Sequence, residues 1–218
     1  MSELQAVLWD LDGTLVDSAE YHWRAWLETM SLEGVALARA DFEASFGQRN
    51  DAILSRWLGP DATPERIARV GAEKEEVYRR LMHEGGLDPL PGADAWVERL
   101  RRGGWAQAIA SSAPRANVVA IVGVLGWQGR FGALVAAEDV SAGKPDPEVF
   151  LVAADRLGAP PTRCIVVEDA CAGIEAARRA GMRCIGVGPA QRCAPDVGAP
   201  SLDALARDAF DGLLGRSS

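Results

Sequence analysis

Four short apolar runs in the second half of the chain constrain its fold more than any other feature. They are WAQAIA (105–110), ALVAA (133–137), CIVVE (164–168) and MRCIGVG (182–188), and stretches of helical periodicity separate them. Short apolar runs without polar alternation read as strands buried on both faces. Strands alternating with amphipathic helices predict a doubly wound α/β fold, a parallel sheet covered by helices on both sides. QAVLWD (5–10) supplies one more strand of the same kind near the N-terminus.

Between that strand and the others, from Asp17 to about Leu87, the pattern is helical throughout. Ala19, Trp23, Trp26, Leu27 and Met30 recur at helical spacing behind an Asp17-Ser18 start. Further helical stretches run near 41–58 and 64–83, interrupted by Gly59-Pro60 and closed by Pro89-Leu90-Pro91-Gly92. The expected organisation is a catalytic core of residues 1–16 and 89–218 with a helical insertion at 17–88. The tryptophans at 9, 23, 26, 57, 96, 105 and 127 are mostly core by their spacing with other apolar residues.

An apolar share of 48% suits a packed globular chain. The formal charge of −8, with no basic cluster, argues against nucleic acid as a partner. No run approaches the ~18 apolar residues of a membrane span, and no basic region precedes an apolar stretch at the N-terminus. The expectation is a cytoplasmic protein. Cys164, Cys171, Cys184 and Cys193 show no CxxC pairing and are expected to be reduced thiols. The oligomeric state is not legible.

Open parallel sheets bind ligands at the carboxyl ends of their strands. Asp10 and Asp12 follow the first strand, Ser111 and Ser112 the second, Lys144 lies in the loop after the third, and Glu168 and Asp169 close the fourth. Singly, each has a plainer reading: Ser111, Asp169 and Asp17 as helix caps, Lys144 as a solvated loop residue. Together they place repelling carboxylates at one site, which is costly unless a cation intervenes. Hard oxygen ligands select Mg²⁺. Each of these groups could handle phosphate or metal.

DLDGT, the Ser after the second strand, the Lys before Pro and the acidic pair in VVEDACAGIEAARRAG resemble the four signature motifs of the haloacid dehalogenase superfamily, in its phosphatase branch. The insertion resembles the small helical cap of the β-phosphoglucomutase-like subfamily. AEYHWRAW (19–26) is similar to its first cap helix and FGQRND (46–51) to its substrate-phosphate loop. The resemblance implies a small phosphorylated metabolite as partner and a Rossmann-like core, with Asp10 as nucleophile forming an aspartyl-phosphate and Asp12 as general acid and base. It implies that Ser111 and Lys144 hold the transferring oxygens and Thr14 supports the loop over the phosphate. Mg²⁺ would be held by Asp10, Asp12 through its carbonyl, Asp169, and Glu168 directly or through water. His22, Arg49, Lys74 and Ser112 would serve the substrate, and the cap would close by hinging near 14–18 and 88–92.

Where mutases of this subfamily carry a Ser-Lys-Asn run after the serine that follows the second strand, for a second phosphate, this chain reads Ser112-Ala113-Pro114-Arg115 after Ser111, without that run. That favours hydrolysis of a small phosphate monoester. Arg115 could in principle replace the lysine, but one turn into a helix it should point away. A phosphomutase is the alternative reading, and a non-enzymatic phosphate-binding module or a dehalogenase is a more distant one.

Overall fold

The apolar runs pair as a parallel sheet. In the computed structural model, which describes residues 4–45 and 48–215, the strands are β1 (Ala6–Trp9), β2 (Ala106–Ala110), β3 (Ala133–Val135), β4 (Cys164–Glu168), β5 (Arg183–Val187) and β6 (Val197–Ala199). Their order across the sheet is β3-β2-β1-β4-β5-β6, with every pairing parallel. The chain builds outward from β1 to one edge, then crosses back to β4 and builds to the other. The switch point therefore lies at β1 and β4, whose carboxyl ends are level: Trp9 is in register with Val167. The short β6 (VGA) carries no apolar run for periodicity to detect, and the sequence reading missed it.

Helices α1 (Ala19–Leu32), α2 (Arg39–Glu43), α3 (Asn50–Trp57) and α4 (Pro64–Gly85) follow β1. Then α5 (Ala93–Arg102), α6 (Arg115–Val124), α7 (Glu148–Leu157) and α8 (Cys171–Arg179) alternate with the later strands, and α9 (Ala209–Leu213) ends the described chain. Two compact units result, one holding the stretches up to Asp17 and from Asp88 onward, the other Ser18–Leu87.

Alternation along β1 divides the core of the first unit. Ala6 and Leu8 join Ala108, Phe150, Val166 and Ile174 on one face. Trp9, pointing the other way, meets Phe210 with ring centroids 6.0 Å apart, and Trp96 packs on the same phenyl ring. The indole N–H of Trp9 donates to Gln107 at 2.9 Å, and Gln107 donates to the Val97 carbonyl, so the buried amide is satisfied. The helical unit has its own core of Trp26, Met30, Phe42, Ile53, Leu54 and Val70.

Three expectations need correction. The stretch 41–58 is two helices, because α2 ends where the Ser45 hydroxyl donates back to the Phe42 carbonyl at 2.8 Å; Phe46 and Gly47 of the FGQRND loop lie outside the described residues. Leu27 is exposed while Trp26 and Met30 are buried, since it stands one position round from the inward face of α1. The four cysteines are not alike: Cys164 and Cys184 are buried free thiols, but Cys171 and Cys193 form a disulfide with their Cα atoms 5.3 Å apart. Their 22-residue separation follows no short motif, because α8 and β5 bring them together. Among the described residues no helix is long and apolar enough to cross a membrane.

Candidate active site

Asp10 is the first residue beyond β1, and its N–H continues the ladder by donating to the Val167 carbonyl at 3.0 Å. The chain then turns tightly: the Gly13 N–H donates to the Val16 carbonyl at 2.8 Å, and the Leu15 N–H to that of Leu11 at 2.9 Å. Gly13 has φ +91°, and a Cβ there would run into the Asp169 carboxylate. Only glycine meets both demands. The buried Thr14 hydroxyl lies 3.4 Å from Asp169 Oδ1. The DLDGT turn is thus seated against the acid that follows β4.

Lys144, in the loop after β3, brings the strand ends together. Its Nζ lies 2.5 Å from Asp10 Oδ1 and 2.5 Å from Glu168 Oε1. The other oxygen of Glu168 accepts from the Ala170 N–H at 2.9 Å. Helix α8 presses on this carboxylate so closely that a Cβ on Gly173 would overlap it. Asp10, Glu168 and Asp169 each offer an oxygen, all within 4.8 Å of one another.

The electrostatics follow from the count. Burial raises the Asp10 carboxyl well above the ordinary carboxylate range, against the pull of Lys144, and Glu168 and Asp169 push it the same way. Burial and the neighbouring Glu168 carry Asp169 to about 7, with a further contribution from Asp12. Burial would lower Lys144, but Asp10 and Glu168 hold its ammonium well above the ordinary lysine value. One ammonium cannot balance three clustered carboxylates. An all-oxygen donor set short of positive charge fits a hard divalent cation.

Ser111 ends β2. Its N–H donates to the Val135 carbonyl at 3.0 Å and its buried Oγ accepts from the Ala113 N–H at 3.0 Å. Ser112 beside it is half-buried. Arg115 opens α6 and is held by two acids that the sequence reading did not single out. Its backbone N–H donates to the Glu138 carboxylate, at 2.9 and 3.1 Å to the two oxygens. Its guanidinium donates to Asp139. Asp139 also accepts from Arg156 at 2.6 Å and from the Ala136 N–H at 2.8 Å. These bonds, Arg156 foremost, bring Asp139 down to about 2. An Glu-Asp pair directly after an apolar run, with Pro-Arg opening the preceding helix, was the available signal.

The remaining predicted residues lie in the helical unit. Lys74 is not the surface residue that its charge suggests: it is 1% exposed, with Nζ 2.7 Å from His22 Nδ1 and 2.7 Å from Glu75 Oε1. The rings of Trp26 and Tyr78 flank the ammonium. His22 stacks on Tyr78 with centroids 4.0 Å apart, and Asn50 donates to Glu75 at 2.6 Å. Glu75 and Asn50 thereby complete a polar network that the sequence reading did not identify. Arg49 stands immediately before α3, 3.3 Å from Asp51.

With this geometry in view, comparison with known proteins is decisive. The model of the haloacid dehalogenase-like hydrolase family matches residues 4–181. The chain belongs to this family. Similar hydrolase-family relatives include the fructose-1-phosphate phosphatase YqaB of Escherichia coli, 34% identical over 184 residues, covering 83% of this chain and 95% of the relative. The β-phosphoglucomutase of Bacillus subtilis is 32% identical over 219 residues, covering 97% and 92%. The solved β-phosphoglucomutase of Clostridium difficile superposes with a TM-score of 0.89 at 27% identity, covering 97% of each chain. The parallel sheet and helical unit described above are thus the fold of β-phosphoglucomutase-like members of the family, and the chain is an enzyme of its phosphatase branch.

Proposed function

We propose that the enzyme hydrolyses a small sugar phosphate, with Mg²⁺ bound, through an aspartyl-phosphate on Asp10. The observation that carries this reading is Lys144 set between Asp10 and Glu168, beside Asp169, at the sheet's switch point. Asp10, Asp169, the main-chain carbonyl of Asp12 and, directly or through water, Glu168 would hold the ion. Bound there, Mg²⁺ neutralises charge on the phosphoryl oxygens and on the carboxylates themselves.

The Asp10 carboxylate attacks phosphorus, forming an acyl-phosphate O–P bond as the bond to the sugar oxygen breaks. Asp12 gives its proton to that departing oxygen. It then takes a proton from water as the water oxygen attacks phosphorus, the bond to Asp10 breaks, and inorganic phosphate leaves with both acids restored. Two acids are required because the nucleophile cannot also carry the proton. Lys144 and Ser111 orient the transferring oxygens, and Lys144 holds Asp10 in place. Thr14 supports the turn. In the helical unit, Arg49 and His22 serve the substrate, while Lys74 acts through His22.

Hydrolysis, not phosphomutase chemistry, is favoured by Arg115. Returning a phosphoryl group to a bisphosphate intermediate requires a cation for the second phosphate, and the guanidinium beside Ser111-Ser112 is engaged by Asp139. The relationship to YqaB supports the same preference.

The test is phosphate release from a panel of monoesters, including hexose phosphates and phosphoglycolate, by wild type and Asp10→Asn. Turnover by the wild type that EDTA abolishes, Mg²⁺ restores and Ca²⁺ restores poorly is expected, with Asp10→Asn inactive. Appreciable hydrolysis by Asp10→Asn would overturn the assignment.

A further inference from the structure

We propose that Cys171 and Cys193 are a reversible dithiol–disulfide site whose closure fixes the turn carrying Glu168 and Asp169. Cys171 is the first residue of α8, separated from Asp169 by Ala170 alone. Within this turn there is little slack. The Ala170 N–H donates to Glu168, and the first turn of α8 lies against the same carboxylate at Gly173. A displacement of Cys171 is therefore passed to both acids. Cys193 follows the 3-10 turn Gly188–Arg192, so the bond ties the metal-side end of α8 to the loop leaving β5.

Reactivity separates this pair from the other cysteines. Cys171 is exposed and Cys193 half-buried, whereas Cys164 and Cys184 are buried, with burial holding the Cys164 thiol up at about 11. An incoming thiol can reach the pair and not the buried ones. The fold also tolerates opening of the bond, because the loop beyond β5 has other ties. Arg178 donates to the Ala194 carbonyl at 3.0 Å, the Cys184 N–H to Asp196 at 2.8 Å, and Arg183 to Asp196 at 2.8 Å.

In closing, the two thiols give up two protons and two electrons to a low-molecular-weight disulfide such as oxidised glutathione. The sulfur–sulfur bond of that oxidant breaks, the Cys171–Cys193 bond forms, and two small thiols leave. Opening is the reverse exchange, driven by a dithiol reductant.

The effect on metal binding rests on the magnesium reading above; the tether itself does not. The full chain is equilibrated with oxidised glutathione or with dithiothreitol, and the bond is mapped by peptide mass. Hydrogen exchange across 168–175 and calorimetric titration with Mg²⁺ are then compared between the two forms, with Cys193→Ser as a permanently open control. The expected result is a mapped 171–193 cross-link only in the oxidised form, and faster exchange at 168–175 on reduction and in Cys193→Ser. Mg²⁺ binding should weaken about tenfold, the lower end of what outer support of a metal site contributes. Two free thiols persisting in oxidised glutathione, or equal exchange in both forms, would overturn the proposal. Differing exchange with no Mg²⁺ heat in either form would leave the tether standing and remove the magnesium reading.

Discussion

Lys144 Nζ stands 2.5 Å from Asp10 Oδ1 and 2.5 Å from Glu168 Oε1, so that one ammonium joins the residue after β1 to the last residue of β4. The lysine side chain is 6% exposed, and those of Asp10 and Glu168 are 10% and 1% exposed, so removing it strands two buried charges. In Lys144→Ala, metal-free protein should lose about 3–5 kcal/mol of stability, the usual cost of breaking a buried pair. Added Mg²⁺ should restore part of that stability, since it too neutralises the acids. Turnover should stay down by about 10²–10³, as for loss of one charge-stabilising donor. Thermal melts with and without Mg²⁺, read beside steady-state rates, check this; parallel recovery of both would mean that Lys144 serves the fold alone.

Gly173 tests how closely α8 fits Glu168. Within a helix, Gly→Ala ordinarily stabilises by about 1 kcal/mol. Here the new methyl falls on the Glu168 carboxylate, which Lys144 and the Ala170 N–H already fix. Gly173→Ala should therefore reverse the sign and cost about 1–3 kcal/mol, with turnover needing a higher Mg²⁺ concentration. A urea midpoint above that of the wild type would contradict the packing.

Asp139 supplies the clearest pH dependence outside the reactive cluster. Arg156, then the Ala136 N–H and Arg115, hold it at about 2 in the folded chain, below the unfolded value of about 3.9. A depressed carboxylate contributes stability that is fully present above the unfolded value and is lost as pH falls through the folded one. Asp139→Asn should thus be less stable than wild type by about 1–3 kcal/mol near neutrality, and the gap should shrink between about pH 4 and pH 2. Urea unfolding of both proteins across that range measures it; a constant gap would assign the loss to packing instead of charge.

These residues also mark what the sequence could and could not disclose. All of the sheet but β6 was legible because its strands are apolar runs; Asp10, Ser111 and Glu168-Asp169 stand at strand ends, and Lys144 lies in the loop after β3. Partners fixed by tertiary geometry were not legible. Lys74 looks like any charged helix residue until Trp26, Tyr78, Glu75 and His22 enclose it. The bond between Cys171 and Cys193 depends on how α8 crosses to β5, which no spacing rule encodes. Glu138 and Asp139 reach Arg115 because β2 and β3 are neighbours, so an acidic pair in one loop meets the helix that begins after the adjacent strand.

That last arrangement bears on the fate of the phosphoryl group. A mutase must keep its aspartyl-phosphate from water while a bisphosphate turns round, and so needs a cation for each phosphate. Arg115 is the basic residue in the Ser111–Arg115 segment, and it is doubly anchored, its N–H by Glu138 and its guanidinium by Asp139. Incubated with Mg²⁺, β-glucose 1-phosphate and a trace of the 1,6-bisphosphate, the enzyme should release inorganic phosphate and form little glucose 6-phosphate. Replacing the anchor, as in Asp139→Ala, frees the guanidinium and should raise any glucose 6-phosphate fraction, because an arginine fork grips phosphate well. Both products are followed in the same reaction. Rapid glucose 6-phosphate formation by wild type with almost no free phosphate would establish mutase chemistry and show that a cation other than Arg115 holds the second phosphate.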